Sequence, residues 1–168
     1  MKMWLVGMMG SGKTSAGEMA AERLEVDFAD TDTEVERRAG MSIPDLWSAR
    51  GEAAFRRLET QVVADFEHRT GIVATGGGAV LNDRNRDVMT RSGTVVWLDA
   101  APAALATRIG HPGERPLLSS SDNAPEALLT KTHTERIHLY TEVASSRIAT
   151  DALDLNGVVD RIEQLWKS

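Results

Sequence analysis

Residues 7–14 read GMMGSGKT and match the G-x-x-x-x-G-K-[ST] spacing of a phosphate-binding loop. An apolar run at residues 3–6 precedes the motif and apolar residues at helical spacing follow it, so it lies between a predicted strand and a predicted helix. Glycines let successive backbone N–H groups turn toward one point, and the start of the helix adds unpaired N–H groups of its own. Lys13 can then reach the β- and γ-phosphates of a nucleotide, and the Thr14 hydroxyl can ligate Mg²⁺.

Two carboxylates, Asp30 and Asp32, follow the predicted second strand at residues 26–29. Beside a bound nucleotide, one carboxylate can orient the water ligands of Mg²⁺ and the other can accept a proton from an attacking hydroxyl. Aspartate also caps helices, and a helix predicted from Thr33 gives Asp32 an ordinary capping role that suits Asp30 less well. Both interpretations are open from these residues alone.

A glycine triplet, Gly76, Gly77 and Gly78, follows the predicted third strand at residues 72–75. Without side chains, these residues let a ligand approach the backbone and offer it N–H donors. The alternative is a tight turn, which rarely needs three glycines. We therefore expect a ligand to contact this turn.

The helix predicted over residues 52–69 carries a charged pair beside its apolar face. At about 100° per residue, Glu59 falls within about 60° of the centre of that face, and Arg56 lies one turn before it. A carboxylate near a buried edge needs a partner, and Arg56 can supply one while its guanidinium is held for an anionic ligand. Arg57 points further from the core. An ordinary structural ion pair explains the same spacing.

A second arginine lies within an apolar stripe. Arg136, on the helix predicted over residues 125–144, falls on the face formed by leucine, tyrosine and valine side chains. A guanidinium there is costly unless it is paired or faces a polar cleft. It predicts either an internal salt bridge or a planar group that binds a carboxylate with two hydrogen bonds.

The elements that must position these residues alternate along the chain. Strands are predicted at residues 3–6, 26–29, 72–75, 94–98 and 147–150. Helices are predicted at residues 13–24, 33–39, 43–49, 52–69, 83–91, 102–109, 125–144 and 157–167. This order predicts one three-layer α/β domain over residues 1–168, with a parallel sheet whose carboxyl ends carry the ligand site.

One segment, residues 110–124, reads GHPGERPLLSSSDNA and matches no regular element. Long loops within a compact domain often cover a site, so we expect a lid, with a surface excursion as the alternative.

Composition excludes several classes of protein. The chain has 168 residues, no cysteine and a net charge of −6, so it predicts no disulfide, no thiol site and no general nucleic-acid surface. No apolar run is long enough to span a membrane. We expect the protein to be cytoplasmic and monomeric. Because its net charge is negative, we expect it to bind anions through cationic side chains placed at the site itself.

Taken together, six segments resemble the shikimate kinases, within the nucleoside-monophosphate-kinase-like group of P-loop proteins. In chain order they read GMMGSGKT, DTD, GEAAFRRLE, ATGGGAV, RPLL and ERIHLY, and the resemblance extends from residue 5 to about residue 144. It implies a five-stranded parallel sheet of order 2-3-1-4-5, and transfer of the γ-phosphoryl group of ATP to the 3-hydroxyl of shikimate.

The resemblance also implies residue roles. The phosphates of ATP would lie on six consecutive residues: Gly10, Ser11, Gly12, Lys13, Thr14 and Ser15. Arg108 would cover the adenine, and Arg115 in the lid would close over the transferred phosphate. Thr14 would hold Mg²⁺, Asp30 would support it through water, and Asp32 would be the candidate base. Arg56 and Arg136 would clamp the shikimate carboxylate, and Glu59 would brace Arg56. The triplet Gly76, Gly77 and Gly78 would present its backbone to the substrate.

Two alternatives and one departure remain. A kinase of another small hydroxy acid, such as gluconate, would also need an arginine for a carboxylate. A nucleotide-binding regulatory ATPase would need the phosphate loop but neither the anion clamp nor the lid. Many relatives carry an arginine after the last strand, near the base, whereas residues 151–155 here read DALDL.

Overall fold

The computed structural model of the chain describes residues 1–109 and 125–168. Its strands are β1 (Lys2–Val6), β2 (Phe28–Asp30), β3 (Gly71–Ala74), β4 (Thr94–Asp99) and β5 (Ser146–Ala149). Its α-helices are α1 (Lys13–Leu24), α2 (Thr31–Ala39), α3 (Ile43–Asp65), α4 (Asp83–Ser92), α5 (Pro102–Arg108), α6 (Pro125–Val143) and α7 (Leu155–Trp166). Short 3₁₀ turns occupy Phe66–His68 and Ala79–Leu81. Among these helices, none combines the length and the apolar character that crossing a bilayer requires.

The five strands form one parallel sheet of order β2-β3-β1-β4-β5, as predicted. β1 lies at the centre, where Leu5 is the register partner of Ala74 on one side and of Val96 on the other. In a parallel sheet all carboxyl ends lie at one edge, so the segments that follow β1, β2 and β3 meet there. Those segments are the phosphate loop, the carboxylate pair and the glycine triplet.

Helices cover both faces of the sheet, and the two faces have separate apolar cores. Trp4 and Val6 of β1 pack in a cluster that includes residues of α3, α4 and α6. Met3 and Leu5 pack on the opposite face with residues of α1 and α7. Because successive side chains of a strand point to opposite faces, the continuous apolar run of β1 is buried on both sides.

The long helix α3 joins two helices that the sequence predicts separately, at residues 43–49 and 52–69. Gly51 separates them with a non-helical backbone, φ 76° and ψ 167°. The helix ends at Asp65 and not at Arg69, because Phe66–His68 tightens into a 3₁₀ turn. The predicted break between the two helices is therefore confirmed. The predicted end of the second helix is wrong by one turn.

The last helix, α7, begins at Leu155, two residues before the predicted start. Asp154 caps it, since its side chain accepts a hydrogen bond of 2.8 Å from the backbone N–H of Gly157.

Gly71, which opens β3, has a backbone that no other residue would tolerate. Its φ is +94°, and a Cβ there would overlap the carbonyl of Asp27. Gly40 also has a positive φ, +69°, but a Cβ there would meet no atom within 4 Å. We expect Gly40→Ala to lower the free energy of unfolding by about 1–2 kcal/mol, from the left-handed backbone alone. Gly71→Ala adds a steric clash and should cost at least ~3 kcal/mol.

Urea unfolding of both variants beside the parent chain measures this difference. Equal losses for the two substitutions would show that crowding against Asp27 does not restrict the start of β3.

Candidate active site

The phosphate loop opens onto a cavity of about 570 Å³. Gly10 and Gly12 have φ values of +77° and +89°, which glycine adopts without strain. Gly12 is the N-cap of α1, and a Cβ on it would meet no atom within 4 Å, so the backbone faces open space. The start of α1 therefore points its unpaired N–H groups into the cavity, as an anion site requires.

The predicted nucleotide residues that the structure describes all line this cavity, which we call the nucleotide cavity. They are Gly10, Ser11, Gly12, Lys13, Thr14, Ser15 and Arg108. Arg115 and the predicted lid, residues 110–124, lie outside the described residues. At one end of the cavity, Arg108 donates hydrogen bonds to the hydroxyl and the carbonyl of Thr150, at 3.0 and 2.9 Å.

Thr150 and Asp154 line the cavity together with Arg108. Beside Arg108 it is lined by Leu153, Leu155 and Val158. The residues that follow β5 thus contribute aliphatic surface where many relatives carry an arginine, and none of them was among the predicted binding residues.

Lys13 lies beneath the phosphate loop. Its side chain is largely buried, and Nζ donates a hydrogen bond of 2.8 Å to the Met8 carbonyl. The positive charge is therefore held within the curve of the loop, where it can approach phosphate oxygens.

Asp30 caps α2, although the capping alternative left open by the sequence suited Asp32 better. Asp30 Oδ1 accepts hydrogen bonds from the backbone N–H groups of Asp32 and Thr33, and α2 starts at Thr31. Asp30 Oδ2 accepts a hydrogen bond of 2.7 Å from the Thr14 hydroxyl. Asp32 lies within the first turn of α2. It lines the nucleotide cavity and also a second cavity that adjoins it.

The Thr14–Asp30 pair has the donor chemistry that Mg²⁺ prefers. A hydroxyl and a carboxylate are hard oxygen donors, and Mg²⁺ commonly keeps several waters and phosphate oxygens as its other ligands. Over residues 1–109 and 125–168 there is no group of three His, Cys, Asp or Glu side chains that could hold a metal by itself. The Thr14–Asp30 pair supplies only part of an octahedral shell, so it fits a cation whose other ligands are waters and nucleotide phosphates.

A second cavity, of about 360 Å³, adjoins the first, and we call it the acceptor cavity. It is lined by every residue predicted to contact or support a substrate: Asp32, Arg56, Glu59, Gly76, Gly77, Gly78 and Arg136. Arg56 comes from α3 and Arg136 from α6, so the fold brings together two arginines that are far apart in sequence. Two guanidinium groups around one small cavity have the charge and the hydrogen-bond donors to bind an anion.

Arg56 is held from several sides. Its Nη1 donates a hydrogen bond of 2.8 Å to Glu59 Oε2, and its Nε lies 3.3 Å from Glu52 Oε1. The guanidinium carbon is 4.9 Å from the centre of the Phe55 ring and 5.7 Å from that of Trp47. These contacts fix the plane of the guanidinium before any ligand binds.

Glu59 is 1% exposed. Burial raises the pKa of its carboxyl above the ordinary value of 4.5, and the positive charges of Arg56 and Arg136 oppose that rise. Its Oε1 accepts no hydrogen bond from any group in the described part of the chain. Ionisation of this carboxyl group is therefore costly, and its charged form depends on the two arginines for stabilisation.

The glycine triplet lets the side chains of Asp32, Glu59 and Arg56 approach its backbone closely. A Cβ on Gly76 would lie 2.5 Å from Asp32 Oδ1 and 2.9 Å from Glu59 Oε1, and one on Gly78 would overlap the Arg56 guanidinium. The backbone N–H of Gly76 donates a hydrogen bond of 3.0 Å to the Thr31 hydroxyl. The triplet is thus one wall of the acceptor cavity.

The two cavities meet at a common boundary. Five residues line both of them: Met9, Thr14, Asp30, Asp32 and Gly77. A group bound in the acceptor cavity therefore lies next to the end of the phosphate loop. This arrangement suits the transfer of a group from one ligand to the other.

Trp47 and Phe55 were missed as site residues by the sequence analysis, although both line the acceptor cavity. The ring centres lie 5.4 Å apart and form an apolar wall. Their spacing along α3 is that of ordinary core residues, so periodicity alone carries no signal for this role.

Comparison with known proteins agrees with the geometry. The family model described as "Shikimate kinase" matches residues 9–166. The chain belongs to the shikimate kinase family. A shikimate kinase of Symbiobacterium thermophilum is 45% identical over 165 residues, which cover 96% of this chain and 94% of the relative. One of Burkholderia lata is 43% identical over 161 residues, covering 95% and 86%.

Solved shikimate kinase structures share the fold. The enzyme from Acinetobacter baumannii, in complex with shikimate, superposes with a TM-score of 0.93 at 37% identity and covers 99% of this chain and 92% of its own. The enzyme from Aquifex aeolicus gives 0.82 at 32% identity, covering 99% and 96%. As a member of the shikimate kinase family, the chain is a phosphotransferase that uses ATP.

The raised pKa of Glu59 predicts a pH dependence of stability. In the unfolded chain Glu59 loses its proton near pH 4.5, whereas in the folded chain it keeps the proton to higher pH. Over that window the unfolded state binds fewer protons, so this group lowers the free energy of unfolding as pH rises. Glu59→Gln has no such titration. We expect the stability of the variant, measured relative to wild type by urea unfolding, to increase from about pH 5 upward.

Glu67→Gln is the matched control. Hydrogen bonding from Arg91 lowers the pKa of Glu67, so its contribution is lost only as pH falls below 4.5. Its difference from wild type should stay level from about pH 5 to about pH 8. A Glu59→Gln difference that is also level, or that falls, would contradict the burial cost assigned to this carboxylate.

Proposed function

We propose that the chain transfers the γ-phosphoryl group of ATP to the 3-hydroxyl of shikimate and releases 3-phosphoshikimate and ADP. The observation that carries this proposal is the acceptor cavity, which has two arginines at its wall and shares a boundary with the nucleotide cavity. Membership of the shikimate kinase family supports it, as does the likeness to an A. baumannii enzyme solved with shikimate.

The carboxylate of shikimate would bind between Arg56 and Arg136. Each guanidinium can form two parallel hydrogen bonds with a carboxylate. Glu59 holds Arg56 at 2.8 Å, and the Gly77 carbonyl accepts a 3.0 Å hydrogen bond from Arg136, so both groups are oriented in advance. The backbone of Gly76, Gly77 and Gly78 would contact the ring of the acceptor.

Asp32 would bind the hydroxyl that is phosphorylated. It lines both cavities, so it lies where the acceptor and the nucleotide would meet. A carboxylate there can orient the hydroxyl and accept its proton as the bond to phosphorus forms.

The nucleotide phosphates would lie on Gly10, Ser11, Gly12, Lys13, Thr14 and Ser15, where the loop N–H groups and Lys13 balance negative charge. Phosphoryl transfer needs alignment of the attacking oxygen and positive charge near the phosphate oxygens. Arg108 would cover the adenine. Arg115, which lies outside the described residues, is proposed from the sequence to close over the transferred group.

Thr14 would hold Mg²⁺ directly and Asp30 would hold it through water. When bound with ATP, Mg²⁺ neutralises charge on the β- and γ-phosphates. The predicted monomeric state and the predicted cytoplasmic location are retained as predictions from the sequence.

The test of function is a coupled assay of ADP release with three reactions in parallel: shikimate, gluconate and no acceptor. We expect ADP release to depend on shikimate and to be at background with gluconate. Both acids carry a carboxylate and hydroxyls, but only the ring of shikimate holds a hydroxyl at a fixed distance from the carboxylate, whereas gluconate is an open chain. Mass spectrometry of the product should show one phosphoryl group on shikimate. ADP release of equal rate without any acceptor would instead identify a regulatory ATPase.

Arg136→Ala should raise the KM for shikimate by about tenfold to a hundredfold while kcat changes much less. The reason is that a carboxylate contact exists in the ground state and the transition state alike, so its loss weakens binding of both. Steady-state kinetics with shikimate as the varied substrate measure the split.

Arg57→Ala is the control, since it removes an equal charge from an exposed position on α3, next to Arg56. Its KM for shikimate should stay close to that of wild type. An unchanged KM in Arg136→Ala would refute the carboxylate clamp.

A further inference from the structure

The carbonyl of Gly77 accepts two hydrogen bonds from one helix. Tyr140 Oη donates at 2.7 Å and Arg136 Nη1 donates at 3.0 Å. The two residues are four apart on α6, so their side chains lie on the same face, one turn from each other. A carbonyl oxygen has two lone pairs, and these donors use both of them.

Gly77 is the residue of the glycine triplet that touches both halves of the site. It lines the nucleotide cavity and the acceptor cavity. A Cβ on it would lie 3.1 Å from the Met9 backbone nitrogen and 3.4 Å from the Gly7 carbonyl oxygen. Its backbone therefore packs directly on the phosphate loop, and the direction of its carbonyl affects where the cavity wall lies.

Tyr140 is itself rigidly placed. Its side chain is fully buried, and its ring stacks on Trp97 with centres 5.6 Å apart and planes at 17°. Trp97 belongs to β4, which pairs with the central strand, so the phenol is anchored to the sheet. Burial raises the pKa of Tyr140 to about 12, with Arg136 opposing the rise, so the hydroxyl keeps its proton and donates at neutral pH.

We propose that Tyr140 is a positioning residue for the acceptor, whose hydroxyl fixes the Gly77 carbonyl and, through it, the Arg136 guanidinium and the glycine wall. Arg136 uses one N–H donor on Gly77, which leaves the other donors of its planar group for a ligand. If the carbonyl is free to tilt, the guanidinium that bonds to it tilts as well. This inference rests on the proposed function, because it assigns the effect to binding of the acceptor.

Tyr140→Phe is the test, because it removes the hydroxyl and keeps the ring that stacks on Trp97. Gly77 still has Arg136 as a donor, so no buried carbonyl loses its last partner. We expect the KM for shikimate to rise by about threefold to tenfold, and the KM for ATP to change by less than about twofold. kcat should fall less than the KM for shikimate rises.

Ser92→Ala is the control for a purely structural effect. The Ser92 hydroxyl also donates to a backbone carbonyl, that of Val88 at 2.6 Å, and accepts from Trp4 Nε1 at 3.1 Å, but it lines neither cavity. The Ser92→Ala variant should have a lower Tm than wild type and unchanged KM values for shikimate and ATP. All kinetics are measured at a temperature at which every variant is folded by circular dichroism.

The outcomes separate the two proposals. An active wild type together with an unchanged KM for shikimate in Tyr140→Phe would overturn the positioning role alone. Equal rises in KM for shikimate and ATP would also overturn it, since they would indicate general loosening of the site. A wild type that does not phosphorylate shikimate would overturn the proposed function and this inference with it.

Discussion

The parallel pairing of β1 with β3 determines how the two halves of the site lie beside each other. The Leu5 carbonyl accepts hydrogen bonds of 3.1 Å from both the backbone N–H and the hydroxyl of Thr75. Gly76 follows Thr75 directly and Gly7 follows Leu5 after one residue, so the phosphate loop and the glycine turn leave the sheet at nearly the same level. A slip of one residue would move each side chain of β1 into the opposite core, and Trp4 would have to fit the packing formed around Met3 and Leu5.

Electrostatics within the acceptor cavity differ from those of the whole chain, whose net charge is −6. Arg136 is 7% exposed and Glu59 is 1% exposed, so these charges are largely removed from water. Buried ion pairs add little net stability, because desolvation offsets the attraction between the charges. The value of the network is geometric, since it holds two cations in place and so reduces what must be ordered when an anion binds.

Features encoded within one element could be predicted from the sequence, whereas contacts between elements could not. Spacing alone identified the phosphate loop, and helical periodicity placed Glu59 and Arg136 on buried faces. The sheet order came from the family resemblance and agrees with the structure. The capping role of Asp30 was not predicted because α2 begins at Thr31, before the predicted start at Thr33. The bond from Tyr140 to the glycine turn depends on how α6 docks, which a single helix does not reveal. Tyr140 did lie four residues from Arg136, a spacing that indicates a shared face but not a shared partner.

The placement of Arg56 and Arg136 in the acceptor cavity explains how binding would serve catalysis in the proposed reaction. The two arginines would hold a carboxylate equally well before and during transfer, so their direct contribution would be to affinity. Fixing that end of a small rigid ring would also direct its opposite side toward Asp32 and the boundary with the nucleotide cavity. Orientation of that kind acts on the rate, because it replaces a search in solution by a single arrangement of acceptor and phosphorus. The same contacts can therefore serve affinity directly and rate indirectly, provided that the glycine wall keeps its position.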